Sequence, residues 1–403
     1  MLRTPRLALT VGAMATLGLV AACGSSTATS SSAGSSGANP NTSSSHAAAP
    51  SAAILNLTGA TTKVDLDPST AMVLQQHGVS VAPVAPATAA MVNGTVEASF
   101  PITTGYVAIY PQNDLPFVRG TFSHSGGLTF SAGGKSLTAT DFVVNPGTST
   151  LTATVGGKGV PLLALDGSQV KITTDASGVH LDGTIAKLTS AAADALNATF
   201  GVSVFTAGIP LGVVHITATG TPDPGGAPKA QVEQLSGQST SVNVDPATAM
   251  VLQQHGVTVT PVGPATASTT NGLTVTFPIT NGYAAVFPQT SLPFIRGLIS
   301  HDGGLTFAAG GKSLTVTDFM VNPGNSELYA TVGGSGAVVP LLDLDGSKVT
   351  MTTDASGQIH LDGTVAKLSA TAASALNSTF GVSVFSAGIP LGVVHIIATA
   401  ATS

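Results

Sequence analysis

The strongest constraint on this chain is an internal duplication. The stretch Val64–Gly78 recurs almost residue for residue at Val242–Gly256, Pro116–Gly120 recurs at Pro293–Gly297, and Phe200–Phe205 recurs at Phe380–Phe385. The offset moves only from 178 to 177 to 180, so any insertion between the copies is small. Units of roughly 165 residues are tandem domains, since solenoid repeats run about 20–50 residues. We place copy 1 at 54–220, a linker at 221–232 and copy 2 at 233–403.

Ahead of the copies lies a different kind of sequence. Arg3 and Arg6 precede the apolar run Leu7–Leu19, and the small residues Ala21 and Ala22 lead to Cys23. This is the layout of a secretion signal over 1–22, with an apolar core too short to span a bilayer, which takes about 20 residues. Val20–Cys23 resembles the lipobox of bacterial lipoproteins, which implies a diacylglycerol on the Cys23 thiol and a protein held at the extracytoplasmic face of the cell membrane. Residues 23–53 are almost entirely Ser, Ala, Gly, Thr, Asn and Pro, and they read as a flexible leash with a reach of about 30 Å.

Composition narrows the partners. Cys23 is the only cysteine, so no intrachain disulfide or thiolate metal cluster can form. Charged residues make up 8% of the chain, the net charge is −6, and there is no run of Lys or Arg. That argues against nucleic acid, which is bound through phosphate neutralisation, and against a polybasic membrane patch. The C-terminal run Gly388–Ala401 is apolar, but its counterpart Gly208–Ala218 lies mid-chain before a polar stretch, so both read as buried strands.

Within each copy the pattern is mainly β. In copy 1, short apolar runs at Thr95–Ile102, Tyr106–Tyr110, Val118–His124, Leu128–Ser131, Leu137–Val144, Leu151–Val155, Val170–Thr174 and His180–Ile185 are separated by Gly, Pro, Asn and Asp. Ser125-Gly126-Gly127 reads as a hairpin turn between its two neighbours. Two short helices are expected: one capped by Asp67 with Pro68 at its first position and stopped at Gly78, and one capped by Thr189 or Ser190 and closed near Gly201. The expected architecture is two tandem antiparallel β-sandwich or barrel-like domains, each with one or two short helices.

Four histidines of copy 1 return in copy 2: His77 as His255, His124 as His301, His180 as His360 and His215 as His395. His77 ends a helix, where the macrodipole favours a cation. His215 lies in an apolar strand. His180 and Asp182 share one strand face, which fits an acid–base pair, half of a metal site or a polar outer surface. His124 ends a strand beside a glycine pair, where an imidazole can ligate haem iron or a divalent metal, or bond to its own turn. Tyr106 and Tyr283 also match between copies and fit a phenolate ligand, an aromatic wall or packing. No G-x-S-x-G, Walker, H-E-x-x-H or Rossmann glycine pattern is present, so no enzyme is expected.

The segment around His124 resembles a known family. An apolar strand, His124-to-Leu128, Asp141-to-Pro146 with its Asn-Pro turn, and Leu151-to-Val155 are similar to the HtaA-type, haem-transport-associated domain of actinobacterial surface proteins. The same pieces recur at His301-to-Leu305, Asp318-to-Pro323 and Leu328-to-Val332, with Phe100-Pro101 and Phe277-Pro278 upstream. The resemblance implies a β-rich, surface-exposed fold and haem capture through a Tyr and a His, of which His124 and His301 carry over. The chain departs from the family at the domain start, where a Trp- and Tyr-bearing segment is usual; it contains no Trp. The expected function is capture of haem or another small ligand, with His124, His301, Tyr106 and Tyr283 as candidate contacts. The alternative is a structural or adhesive envelope protein that makes protein–protein contacts.

Overall fold

A computed structural model describes residues 48–400 apart from 177, 334–335 and 355–357. The candidate signal, Cys23 and most of the candidate leash lie outside these residues. Each copy closes into an eight-stranded antiparallel barrel. In copy 1 the strands run Thr95–Ile109, Ala60–Leu66, Pro210–Ala218, Gly178–Leu188, Lys158–Asp166, Thr150–Val155, Lys135–Asn145 and Val118–His124, which pairs again with Thr95–Ile109. Copy 2 repeats the order from Thr274–Val286 round to Ile295–His301. The apolar runs near residues 210 and 390 are therefore barrel strands: Val214 pairs with Val64, and Val394 with Val242.

The helices form where their caps predict. Helix α1, Pro68–Gln76, starts at Asp67, whose carboxylate accepts the backbone N–H groups of Ser69 and Thr70 at 2.9 and 3.1 Å. Helix α2, Ser190–Phe200, starts at Thr189 and ends at Gly201 in the left-handed region. Helices α3, Pro246–Gln254, and α4, Ala370–Phe380, repeat them. None of these helices is long and apolar enough to cross a membrane.

Two strand expectations need correction. Thr95–Ile109 is one strand with a register shift between Ile102 and Thr104, so Gly105 does not separate two strands. Nor is Ser125-Gly126-Gly127 a hairpin turn. Val118–His124 and Gly127–Ala132 both pair with the long strand Lys135–Asn145, through Ser123 opposite Val143 and Gly127 opposite Thr140. The chain thus continues in one direction past a break at residues 125–126. A Cβ at Gly126 would sit 2.5 Å from the Ala87 nitrogen, and one at Gly127 would sit 2.1 Å from the Ala139 oxygen. Close approach, not reversal, requires this glycine pair.

The barrels meet through an interface with approximate twofold reciprocity, the arrangement of an isologous dimer built within one chain. Tyr106 stacks on Tyr283 with ring centroids 5.7 Å apart and planes 8° from parallel. Thr154 donates to Asp318 at 2.7 Å, and Thr331 donates to Asp141 in the mirror contact. Asn322 donates to Thr104 at 2.8 Å, and Asn145 donates to the Glu233 carbonyl at 2.9 Å. The fully buried Arg119 and Arg296 pair with Glu233 and Asp223, at 3.3 and 2.5 Å.

Burial, with the Asp141 charge second, pushes the Asp318 carboxyl up to about 6 from an ordinary value near 3.8. A carboxyl with a raised folded-state pKa contributes most below its unfolded value and loses that contribution as pH rises through the folded one. Asp318→Asn, which keeps an oxygen for Thr154, should therefore stabilise the protein at pH 7. The gain should be on the order of 2–3 kcal/mol, from about 1.36 kcal/mol per pKa unit. Urea unfolding from pH 3.5 to 7.5 checks this: the gain should grow between about pH 4 and 6 and vanish below.

Candidate functional site

Strand alternation sorts the barrel wall. Val64, Leu181, Val214 and Ile216 point inward, and their neighbours Lys63, Asp65, His180, Asp182 and His215 point outward. The inward set does not fill the barrel. Copy 1 encloses a cavity of about 630 Å³ and copy 2 one of about 560 Å³. Both fall in the range of small-molecule sites, roughly 300–1,000 Å³. Aliphatic and aromatic side chains line them, and neither lining contains Asp, Glu, Lys or Arg.

Helices close one end. In copy 1, Leu74 of α1 and Leu196 of α2 pack with Leu188 beneath the cavity. At the other end the lining passes to loops through Leu115, Phe117, Pro146, Ser149 and Ser168. Leu115 is 69% exposed although it lines the cavity, and its counterpart Leu292 is 72% exposed. This loop end is the mouth.

His124 is the titratable residue of the copy 1 lining, and it is 1% exposed. Strand alternation from Val118 through Phe122 places it there. Its Nδ1 lies 3.0 Å from the Phe142 carbonyl and its Nε2 lies 2.7 Å from Thr62 Oγ1. A carbonyl only accepts, so Nδ1 carries the proton, and Nε2 accepts from the Thr62 hydroxyl. His301 repeats the geometry with Phe319 at 2.9 Å and Thr240 at 2.6 Å. Burial lowers both imidazoles to about 4, so they are neutral at physiological pH. The histidine bonds the facing strand and a distant one, and not its own turn.

Tyr106 and Tyr283 line neither cavity, so the structure does not bring them to the histidines. They lie in the inter-barrel contact with Tyr110 and Phe287, and burial holds both phenols well above their ordinary value. His180 and Asp182 share the outer face but not each other: His180 pairs with Asp175 at 3.3 Å, and Asp182 with His215 at 3.1 Å. His77 and His255 sit at helix C-caps. Among the described residues no group of three His, Cys, Asp or Glu side chains is arranged to hold a metal. The sequence points to His124, which lines the cavity, but not to the cavity itself; the signal available was the inward residues alternating with polar neighbours.

The buried imidazole carries a pH signature. A base with a lowered folded-state pKa contributes above its unfolded value of about 6.5, and that contribution is lost as pH falls through about 4. His124→Gln should be less stable than the parent at pH 7.5. The gap should shrink by about 3 kcal/mol between pH 6.5 and 4, and denaturant titrations across that range check it.

No protein-family model matches the chain, and no curated protein matches it. Among solved structures, the chain is similar to the C-terminal domain of HtaA from Corynebacterium glutamicum, at 16% identity over 41% of this chain and 98% of that chain, with a TM-score of 0.28.

Proposed function

We propose that this chain is an extracytoplasmic binding protein in which each barrel takes up one small, predominantly apolar ligand. The observation that carries this reading is the pair of large cavities, lined without a charged side chain and open at one end beside an exposed leucine. Burying apolar ligand surface there is favourable by about 25 cal/mol per Å². The sequence Val20-Ala21-Ala22-Cys23 supports export and a lipid tether at Cys23.

Haem is a particular version of this reading, suggested by His124 and His301. Ligation of iron by Nε2 would require each imidazole to give up its bond from Thr62 or Thr240. The haem carboxylates would find no cation in either lining. Uncharged ligands suit the cavities better.

Titration with Nile red tests the reading. Enhanced fluorescence should saturate at two dye molecules per chain. Ala139→Phe, which puts a ring into the copy 1 cavity, should reduce this to one. Absence of dye binding, or binding unaffected by the ring, would sink the proposal. Haemin added in parallel should give no Soret shift that depends on His124 and His301; a shift lost in the His124→Ala, His301→Ala variant would establish haem instead. For the tether, an alkyne-palmitate label should enter the full-length chain in cells and be lost in Cys23→Ala.

A further inference from the structure

The same cavities specify more than apolarity, and the ligand class inferred from them rests on the proposed role of each barrel as a carrier of one small ligand. In copy 1 the lining runs unbroken from Leu115 and Phe117 at the mouth to Ala192 and Leu196 of α2, the full depth of the barrel. An extended ligand fills such a space, whereas a compact one leaves part of it empty and forfeits contacts there. The volume of 630 Å³ holds about twenty groups of the size of a water molecule, the scale of one long hydrocarbon chain.

The polar groups are few and neutral. Midway along the wall, Thr62 and His124 already satisfy one another and the Phe142 carbonyl. At the mouth stand Ser149 and Ser168 in copy 1 and Ser326 and Ser347 in copy 2. Asp166 pairs with Lys187 at 2.7 Å, Asp345 with Lys367 at 2.8 Å and, beside Leu115, Asp114 with Arg119 at 2.8 Å, while the exposed Lys171 and Lys348 adjoin the mouth in sequence but lie outside the lining. A carboxylate, phosphate or ammonium brought to the mouth would meet no free counter-charge in the lining, while a hydroxyl would meet hydroxyls.

We propose that each barrel binds an uncharged single-chain lipid with a hydroxyl-bearing head. The chain lies along the barrel axis toward the helical floor, and the head rests among the mouth serines. Long-chain alcohols and monoacylglycerols share this chemistry. Copy 2 offers about 560 Å³ and the same mouth, so both barrels take the same class.

Competition against bound Nile red on the purified protein at pH 8 tests the class. Hexadecan-1-ol and 1-monopalmitoylglycerol should displace the dye at concentrations at least tenfold lower than palmitate or hexadecylamine. Affinity should rise steadily from decanol to hexadecanol. Equal or tighter displacement by palmitate or the amine, with dye binding intact, would overturn the uncharged head and leave the apolar-ligand reading standing. A flat chain-length series would overturn the chain-shaped ligand in the same way. Failure of Nile red to bind at all would remove both readings together. The variant Leu115→Lys, Leu292→Lys changes only exposed mouth positions and supplies a cation there. It should improve palmitate displacement at least tenfold relative to hexadecanol; an unchanged ratio would overturn the placement of the head at the mouth.

Discussion

The structure turns on a paired irregularity in two neighbouring strands of each barrel. One strand breaks at Ser125–Gly126, and the strand facing it shifts register between Thr140 and Val143, with Asp141 in the left-handed region at φ 54°. A non-glycine residue there is uncommon, and Asp tolerates it better than most. His124, the last residue before the break, points inward by the same alternation as Val118 and Phe122, and there Thr62 and the Phe142 carbonyl satisfy both ring nitrogens. On the outer side, Asp141 meets Thr331 of the other barrel. A single departure from regular pairing thus lies between the buried imidazole of the cavity and a contact of the inter-barrel surface. Copy 2 does the same with His301, Gly303 and Asp318, the last at φ 57°.

Duplication explains how so few charges are placed. The outer face of one barrel strand region is covered by its own copy, so residues that a lone barrel would expose become buried. Arg119 and Arg296 are the clearest case, each stacked on an aromatic ring, Tyr110 at 4.1 Å and Phe287 at 3.6 Å. A buried guanidinium without a partner is costly. The segment joining the copies supplies the partners, through Asp223 to Arg296 and through Gln231 to Arg119 and Tyr283. Residues read as a connector in sequence therefore also satisfy the interface, and the twofold reciprocity is broken where the connector passes.

How much of this was legible in the sequence depends on the range of each signal. Helix starts at Asp67 and Thr189 were readable because a cap acts within three residues. The β class was readable from turn residues between short apolar runs. The run Leu128–Ser131 is a strand as expected, but its pairing differs because a glycine pair signals both reversal and close approach, and only the strand opposite, through Ala139, decides between them. Tyr106 and Tyr283 invited a ligand role because identical residues in two copies suggest a shared task. Their task is to meet each other, which no reading of one copy reveals. His124 stands out in the sequence, but its burial and its bond from Thr62, a residue 62 positions away, do not.

A barrel with an unfilled interior gives up the close packing on which small proteins normally rely, because wall atoms facing a void lose their dispersion partners. With a single cysteine, no disulfide offsets that loss. The structure offsets it in three other places. Closure of the sheet pairs every barrel strand on both sides and leaves no open edge. The helices pack their apolar faces against the barrel end, as with Ala192, Ala193 and Leu196 of α2. The inter-barrel contact buries a second apolar cluster, Tyr106, Tyr110, Tyr283 and Phe287 with the alanines between them, outside the cavities. Stability is thereby moved from the centre of each barrel to its floor and its flank, and the interior is left available for a ligand. Filling that interior restores the lost contacts, so a chain-shaped apolar ligand should behave as the missing part of each core.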